Sequence, residues 1–278
     1  MSREPAASPY PTLVEVAETG STSSDLVAAI LADDGAWPHL SALRTDHQAA
    51  GRGRAGRTWT TPPGTSATFS VVLRPGRPRA EWATLSLVAG LAVVRALRAL
   101  RTVGVGPSVD AALKWPNDVV LRSRASSPDP ATDDLPGWGG TRKVAGILAE
   151  TVPGRDAVVV GIGINVAQRG AADLPVPWAT SLALAGVTTT PREVTHAVGR
   201  ELAALTAAWE TGGLAALHDD VVAATDTIGR DVAVDLGDGV VLTGRASGIE
   251  PDGRLAVVTA DGATHPVSAG DVVHARRA

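Results

Sequence analysis

The sequence predicts an α/β fold with a small β-barrel at its C-terminal end. Helix-like and strand-like patterns alternate from Thr22 to Ala224, and after Thr225 they give way to short β segments punctuated by turn signals. A length of 278 residues with 44% hydrophobic content suffices to bury one substantial core, with room for a small second domain.

Taken in order, Thr22-Ser-Ser-Asp25 ahead of Leu26, Val27, Ile30 and Leu31 predicts a capped amphipathic helix ending near Gly35. Residues 40–45 form a short expected strand, and Phe69–Leu73 another, stopped by Pro75. Glu81 to Leu100 carries Leu85, Val88, Leu91, Val94 and Leu97 at helical spacing, the pattern of a buried helix. Val119–Leu121 and Val144–Leu148 read as strands on either side of residues 123–141, whose Ser, Pro, Asp and Gly content reads as a flexible surface insertion. Val158–Val166 is a continuous β-rich run, the pattern of a buried strand. Thr190-Pro-Arg-Glu193 places a cap, a first-turn proline and a reaching glutamate in order, opening a helix to about Trp209; a second runs from Leu214 to about Ala224. Gly237-Asp-Gly239, Pro251-Asp-Gly253 and Asp261-Gly262 then mark hairpins. The expected boundary lies near residue 226, dividing the chain into 1–226 and 227–278.

Composition excludes several classes. The formal net charge of −4 offers no global basic field for nucleic acid. No apolar run approaches the ~18 residues of a membrane helix. Met1 to Tyr10 is polar and lacks the apolar core of a signal peptide. Cysteine is absent, which removes disulfides, thiolate catalysis and cysteine metal sites together, and makes a cytoplasmic protein the expectation.

Of 25 basic residues only Lys114 and Lys143 are lysines. In a chain so biased to arginine, a lysine marks a place where a forked guanidinium does not replace a compact ammonium. Gly51-Arg-Gly-Arg-Ala-Gly-Arg57 formally satisfies G-x-G-x-x-G, but Thr58, Trp59, Thr60, Thr61, Pro62 and Pro63 follow it and cannot begin the helix a dinucleotide fingerprint requires. Its charge still points to an anion. From His47 to Ala80 there is no Asp or Glu, while Arg52, Arg54, Arg57, Arg74, Arg77 and Arg79 are present. Glycines expose backbone N–H groups and arginines supply forked donors for phosphate or carboxylate oxygens. Such a glycine-rich loop is costly to order, so closing only over ligand is one expectation for it, a solvated surface loop another, and an Arg/Gly nucleic-acid segment a third.

Lys114-Trp-Pro-Asn-Asp118 sets a lysine, an aromatic and two short polar side chains around a proline, a combination that also simply makes a turn. Arg142-Lys143-Val-Ala-Gly-Ile-Leu-Ala-Glu150 puts the second lysine at the mouth of an apolar strand, and Gly146 there suits a close ligand. Gly161-Ile-Gly-Ile-Asn165 repeats the arrangement; each glycine equally suits a bulge or a close strand–helix contact.

The order Gly51–Trp59, Lys114–Asp118, Lys143–Glu150, Gly161–Asn165 closely resembles the biotin–protein ligases over roughly residues 12 to 278. The resemblance implies an α/β (α+β) fold with a mixed sheet flanked by helices, related to class II aminoacyl-tRNA synthetases, and an SH3-like C-terminal barrel. It implies an ATP-dependent ligase that forms biotinyl-adenylate and then biotinylates a lysine of a biotin carboxyl carrier protein of a carboxylase such as acetyl-CoA carboxylase. Under it, Lys143 contacts both the biotin carboxylate and the α-phosphate, and Arg54, with Arg52 and Arg57, clamps phosphates. Ser21, Thr22, Ser23, Gln48, Gly51, Arg52, Gly53 and Gly146 belong to the biotin side; Arg57, Trp59, Lys114, Asn117, Asp118 and Asn165 belong to the ATP side, and Arg54 and Lys143 to both. Mg²⁺ is expected to come with ATP, with Asp118 its one candidate protein ligand and also a candidate general base. A lipoate- or octanoate-handling ligase is the alternative enzyme. The chain departs from the family in reading Ser21-Thr22-Ser23 where many relatives have Ser-Thr-Asn, and in the length of 123–141. Only about eleven residues precede the matching region, too few for a DNA-binding domain, so a monofunctional ligase without repressor function is expected.

Overall fold

The computed structural model describes residues 8–100, 109–122, 138, 140–237, 239–268 and 271–274. Two sheets organise it. The larger has seven strands: β1 (Leu13–Thr19), β2 (Ala42–Gln48), β3 (Ser66–Leu73), β4 (Ala111–Lys114), β5 (Asp118–Arg122), β6 (Thr141–Thr151) and β7 (Val158–Asn165), in the order β1-β2-β3-β7-β6-β5-β4. Only β1 and β2 are parallel (Leu13 opposite Ala42), because α1 (Thr22–Ala32) provides the crossover such a pair requires; every other neighbour is antiparallel. This is the mixed sheet flanked by helices that the resemblance implies.

Helices cover both faces unequally. Alternation along β3 sends Phe69, Val71 and Leu73 to the side of α2 (Leu85–Ala99) and α3 (Pro191–Gly212), where they join the main core. The opposite face meets α1, whose Leu26 and Ile30 pack with Leu43, Val72 and Val159 in a smaller cluster. α1 shields only part of that face. Beyond it the outward positions are Thr68 and Ser70 on β3, Gly146 on β6, and Gly161 and Gly163 on β7, leaving a floor of glycine and hydroxyl.

After α4 (His218–Ala224) the chain enters a five-stranded antiparallel sheet of β8 (Asp231–Asp235), β9 (Val241–Ile249), β10 (Leu255–Val258), β11 (Thr264–Val267) and β12 (Asp271–His274), ordered β11-β10-β9-β8-β12, which fits an SH3-like domain. Its Val232, Val234 and Leu255 join the main core.

The structure departs from the sequence expectations in identifiable ways. Strands β1 and β4 were not expected. Ser21, not Thr22, caps α1, which stops at Ala32 because Asp33 turns its side chain onto Gly35 and Ala36 to start a 3₁₀ turn. The helix expected from Glu81 begins as a 3₁₀ segment, Arg79–Thr84, and becomes α-helical at Leu85. Contrary to the expectation of no membrane-length run, Arg79–Ala99 is long and apolar enough by composition to cross a bilayer; it is mostly buried inside the molecule, as a core helix is. The capping box at Thr190 and Glu193 forms as read. The insertion expected over 123–141 lies largely outside the described residues, apart from Trp138, Gly140 and Thr141.

Candidate active site

The open part of the sheet floors a cavity of about 340 Å³. Gly146 and Gly163 are directly opposite one another across β6 and β7. A Cβ on Gly163 would lie 2.4 Å from the Trp59 ring, and one on Gly161 only 2.5 Å from Ser23 Oγ. The glycines therefore serve two contacts: Gly161 admits the start of α1, and Gly163 with Gly146 admits the Trp59 indole. Close strand–helix approach, one of the open readings, holds for Gly161.

At one end of the cavity lies a buried polar network. Gln48 Oε1 accepts from Thr22 N (2.8 Å) and Thr22 Oγ1 (3.0 Å). Ser70 Oγ lies 2.8 Å from Thr22 Oγ1 and 3.0 Å from Ser23 Oγ. Ser21, Thr22 and Ser23 are all buried, held at the first turn of α1 by the Ser21 cap. Ser70 and Thr68 were not read from the sequence; the alternation Ser66, Thr68, Ser70 in an otherwise apolar strand was the available signal.

At the centre, Lys143 Nζ is 2.6 Å from Asp118 Oδ1 and 5.8 Å from the Trp59 ring centroid. Its backbone is fixed as well: Lys143 N donates to Trp178 O and Thr180 N donates to Lys143 O, both at 2.8 Å. Arg54 Nη1 donates to Asn117 Oδ1 (3.0 Å), and Asn117 Nδ2 donates to Ile147 O (2.9 Å). The Gly/Arg loop is tied across its own base. Gly53 N donates to Arg57 O and Trp59 N to Gly51 O, and Ala55 (φ 53°) with Gly56 (φ 71°) makes the turn. Arg57 Nε donates to Arg54 O (3.3 Å), and Arg52 Nη2 bonds Glu150 Oε2 at 2.6 Å. Gly51 stands behind the loop against Trp59 and Gln48, outside the cavity lining, whereas Gly53 lines it.

The far end is aromatic and apolar. Asn165 is buried there, donating to Thr180 O (2.9 Å). Trp138 stacks on Trp178, and Val272 and Val273 of β12 complete the wall. Lys114 also lines it, with Nζ donating to Val272 O at 2.6 Å. The cavity thus has a hydrogen-bonding end, a cationic middle and a flat apolar end. Such a shape suits an elongated ligand with a polar head, an anionic junction and a planar base.

Comparison with known proteins agrees. Residues 35–166 match the Biotin/lipoate A/B protein ligase family, and residues 227–275 match the Biotin protein ligase C terminal domain. The biotin–[acetyl-CoA-carboxylase] ligase of Mycobacterium tuberculosis is 39% identical over 98% of this chain and 92% of its own length. That of Paracoccus denitrificans is 43% identical over 48% of this chain and 47% of its own. Among solved structures, the biotin protein ligase from Aquifex aeolicus in complex with biotin and ATP superposes with a TM-score of 0.73 at 27% identity, covering 96% of this chain and 100% of that one. The chain belongs to the biotin protein ligase family, a family of ligase enzymes.

Proposed function

We propose that this chain is a cytoplasmic biotin–[acetyl-CoA-carboxylase] ligase that joins biotin to ATP and passes the biotinyl group to a carrier lysine. The observation that carries the reading is the position of Lys143, between a buried hydroxyl–amide network and an aromatic end, with Asp118 at 2.6 Å. The ureido head of biotin suits the Thr22, Ser23 and Gln48 network, since buried polar groups need a partner that an apolar dithiolane or acyl chain does not offer. This argues against lipoate or octanoate.

In the first half-reaction a biotin carboxylate oxygen bonds to the α-phosphorus as the bond to the pyrophosphate oxygen breaks. Two anions must meet, so catalysis rests on positioning and charge stabilisation. Lys143 leaves Asp118 to bridge carboxylate and α-phosphate, while Arg54, steadied by Asn117, and Arg52 and Arg57 draw the phosphates into the loop. Mg²⁺ bound with ATP would neutralise phosphate charge, and Asp118, which lines the cavity, is the carboxylate that would help hold it. Trp59 and Asn165 border the nucleotide. In the second half-reaction the carrier lysine, as a neutral amine, attacks the biotinyl carbonyl. The amide forms, AMP leaves, and Asp118 is placed to take the amine proton. Residues 1–226 supply this chemistry, with 227–278 walling the nucleotide side.

Incubating the chain with ATP, Mg²⁺, biotin and a biotin carboxyl carrier domain tests the whole scheme. Mass spectrometry is expected to show one biotinyl amide on one carrier lysine; an unmodified carrier, with the adenylate accumulating or absent, contradicts it.

A further inference from the structure

Lys114 is one of only two lysines in the chain. Only 6% of it is exposed, and its head group does not simply point into the cavity. It donates to Val272 O and sits 4.4 Å from the centroid of the Trp138 ring. Trp138 is itself stacked with Trp178, with ring centroids 6.1 Å apart and planes 13° from parallel. We propose that Lys114 and Trp138 are positioning residues for the nucleotide, forming with Trp178 a cation–indole–indole stack that holds the 175–180 segment against Lys143.

Each layer is tied down independently. Trp138 O accepts from Thr141 N (3.0 Å) and Thr141 Oγ1 (2.6 Å) at the start of β6. Trp178, 38% exposed at the cavity mouth, accepts from Lys143 N through its backbone carbonyl. Displacing the Trp178 ring therefore disturbs the strand-like pairing that fixes the catalytic lysine. A desolvated ammonium over an indole face is attracted by the ring quadrupole, and Lys114 gains a carbonyl acceptor in the same position. A planar guanidinium would have to choose between stacking flat on the ring and reaching Val272 O, which accounts for lysine here in a chain otherwise so rich in arginine. The inference rests on the ligase reading, deepens its nucleotide side, and has Lys114 serve ATP through the stack instead of touching phosphate.

The test is a double-mutant cycle of Lys114→Met and Trp138→Ala, with Trp138→Phe as the conservative variant, read in biotin-dependent ATP–pyrophosphate exchange. Each single substitution is expected to raise KM for ATP about tenfold with kcat changed only a few-fold, and the double mutant to be little worse than the worse single, because coupled partners are not additive. Trp138→Phe restores most of the loss. If Lys114→Met raises KM while Trp138→Ala leaves it unchanged, or if the two effects multiply, Lys114 meets the phosphates directly and the proposal is wrong. A lowered thermal midpoint with an unchanged KM also overturns it, by reducing the stack to a structural contact. A second readout is independent of activity. Stacked indoles give an exciton couplet in circular dichroism that Trp138→Phe and Trp178→Phe each abolish. A wild-type chain without the couplet refutes the stack whatever the chain ligates, whereas a couplet without any exchange refutes the ligase reading and the nucleotide role together.

Discussion

The Lys143 side chain is 21% exposed, paired with Asp118, and mounted on a strand whose backbone is bonded on both sides. A charge so placed loses little entropy on meeting substrate, which is how a preorganised donor lowers a barrier. Lys143→Ala is accordingly expected to slow adenylation on the order of 10²–10³-fold in single-turnover assays, with Lys143→Arg failing to restore the rate because a forked head does not fill the place of a point charge. Arg54 sits on a loop held by backbone bonds across its base and by its own contact with Asn117. Arg54→Ala is expected to speed escape of biotinyl-adenylate, measured by chasing radiolabelled intermediate, while the thermal midpoint stays within a few degrees. A large fall in midpoint with the intermediate retained would make Arg54 structural. That Lys143 and Arg54 line the cavity was legible in the sequence because their motifs carry chemical meaning, whereas Gln48 was placed there only by the family resemblance. Ser70 and Thr68 were not, because a hydroxyl within a strand gains significance only when tertiary packing brings α1 over it.

At the level of elements, the cavity floor is made by what β6 and β7 lack. Gly163→Ala would place a methyl 2.4 Å from the Trp59 ring, so the indole has to leave its seat. The expected result is a rise of about tenfold or more in KM for both biotin and ATP, with cooperative unfolding preserved. Unchanged constants would show that Trp59 does not sit there in solution. Both glycine strands were readable as strands, since continuous β-branched runs bounded by turns permit little else. Their role was not, because one glycine supports a helix contact and its neighbour an indole. Strand β1 is not legible from pattern because it sits at an edge of the sheet with four of its seven residues exposed, its place set by long-range parallel pairing. Strand β4 is four buried residues, too short for periodicity to declare. The 3₁₀ start before α2 follows from local bonds, Thr84 Oγ1 to Glu81 O and Trp82 Nε1 to Arg77 O, that no periodic pattern encodes.

Across the whole molecule, the turn from Lys114 to Asp118 joins the two sheets. Trp115 donates from its backbone to Thr227 Oγ1 and from its indole to Gly253 O, while Asn117 and Asp118 face the cavity. Beside it, buried Asp226 receives Arg122 and Arg230. Burial alone would raise its carboxyl pKa, but those two guanidiniums hold it below the usual range. The stabilisation is therefore fully present above about pH 4, the value of an unfolded aspartate, and is lost as pH falls through the lower folded value. Asp226→Asn is expected to cost about 3 kcal/mol in urea unfolding at neutral pH, with the gap to wild type narrowing in acid; a pH-independent gap would assign the loss to packing. The two-sheet architecture was legible from turn spacing after Thr225, whereas this junction, built from contacts over a hundred residues apart, was not. In the proposed reaction the hydroxyl–amide end, Lys143 and the aromatic end together join biotin to ATP. Acid-dependent exchange of labelled pyrophosphate into ATP tests it most directly. Exchange is expected with biotin, none with lipoate or octanoate, and near-complete loss in Lys143→Ala; exchange driven by lipoate and not by biotin would overturn the biotin assignment.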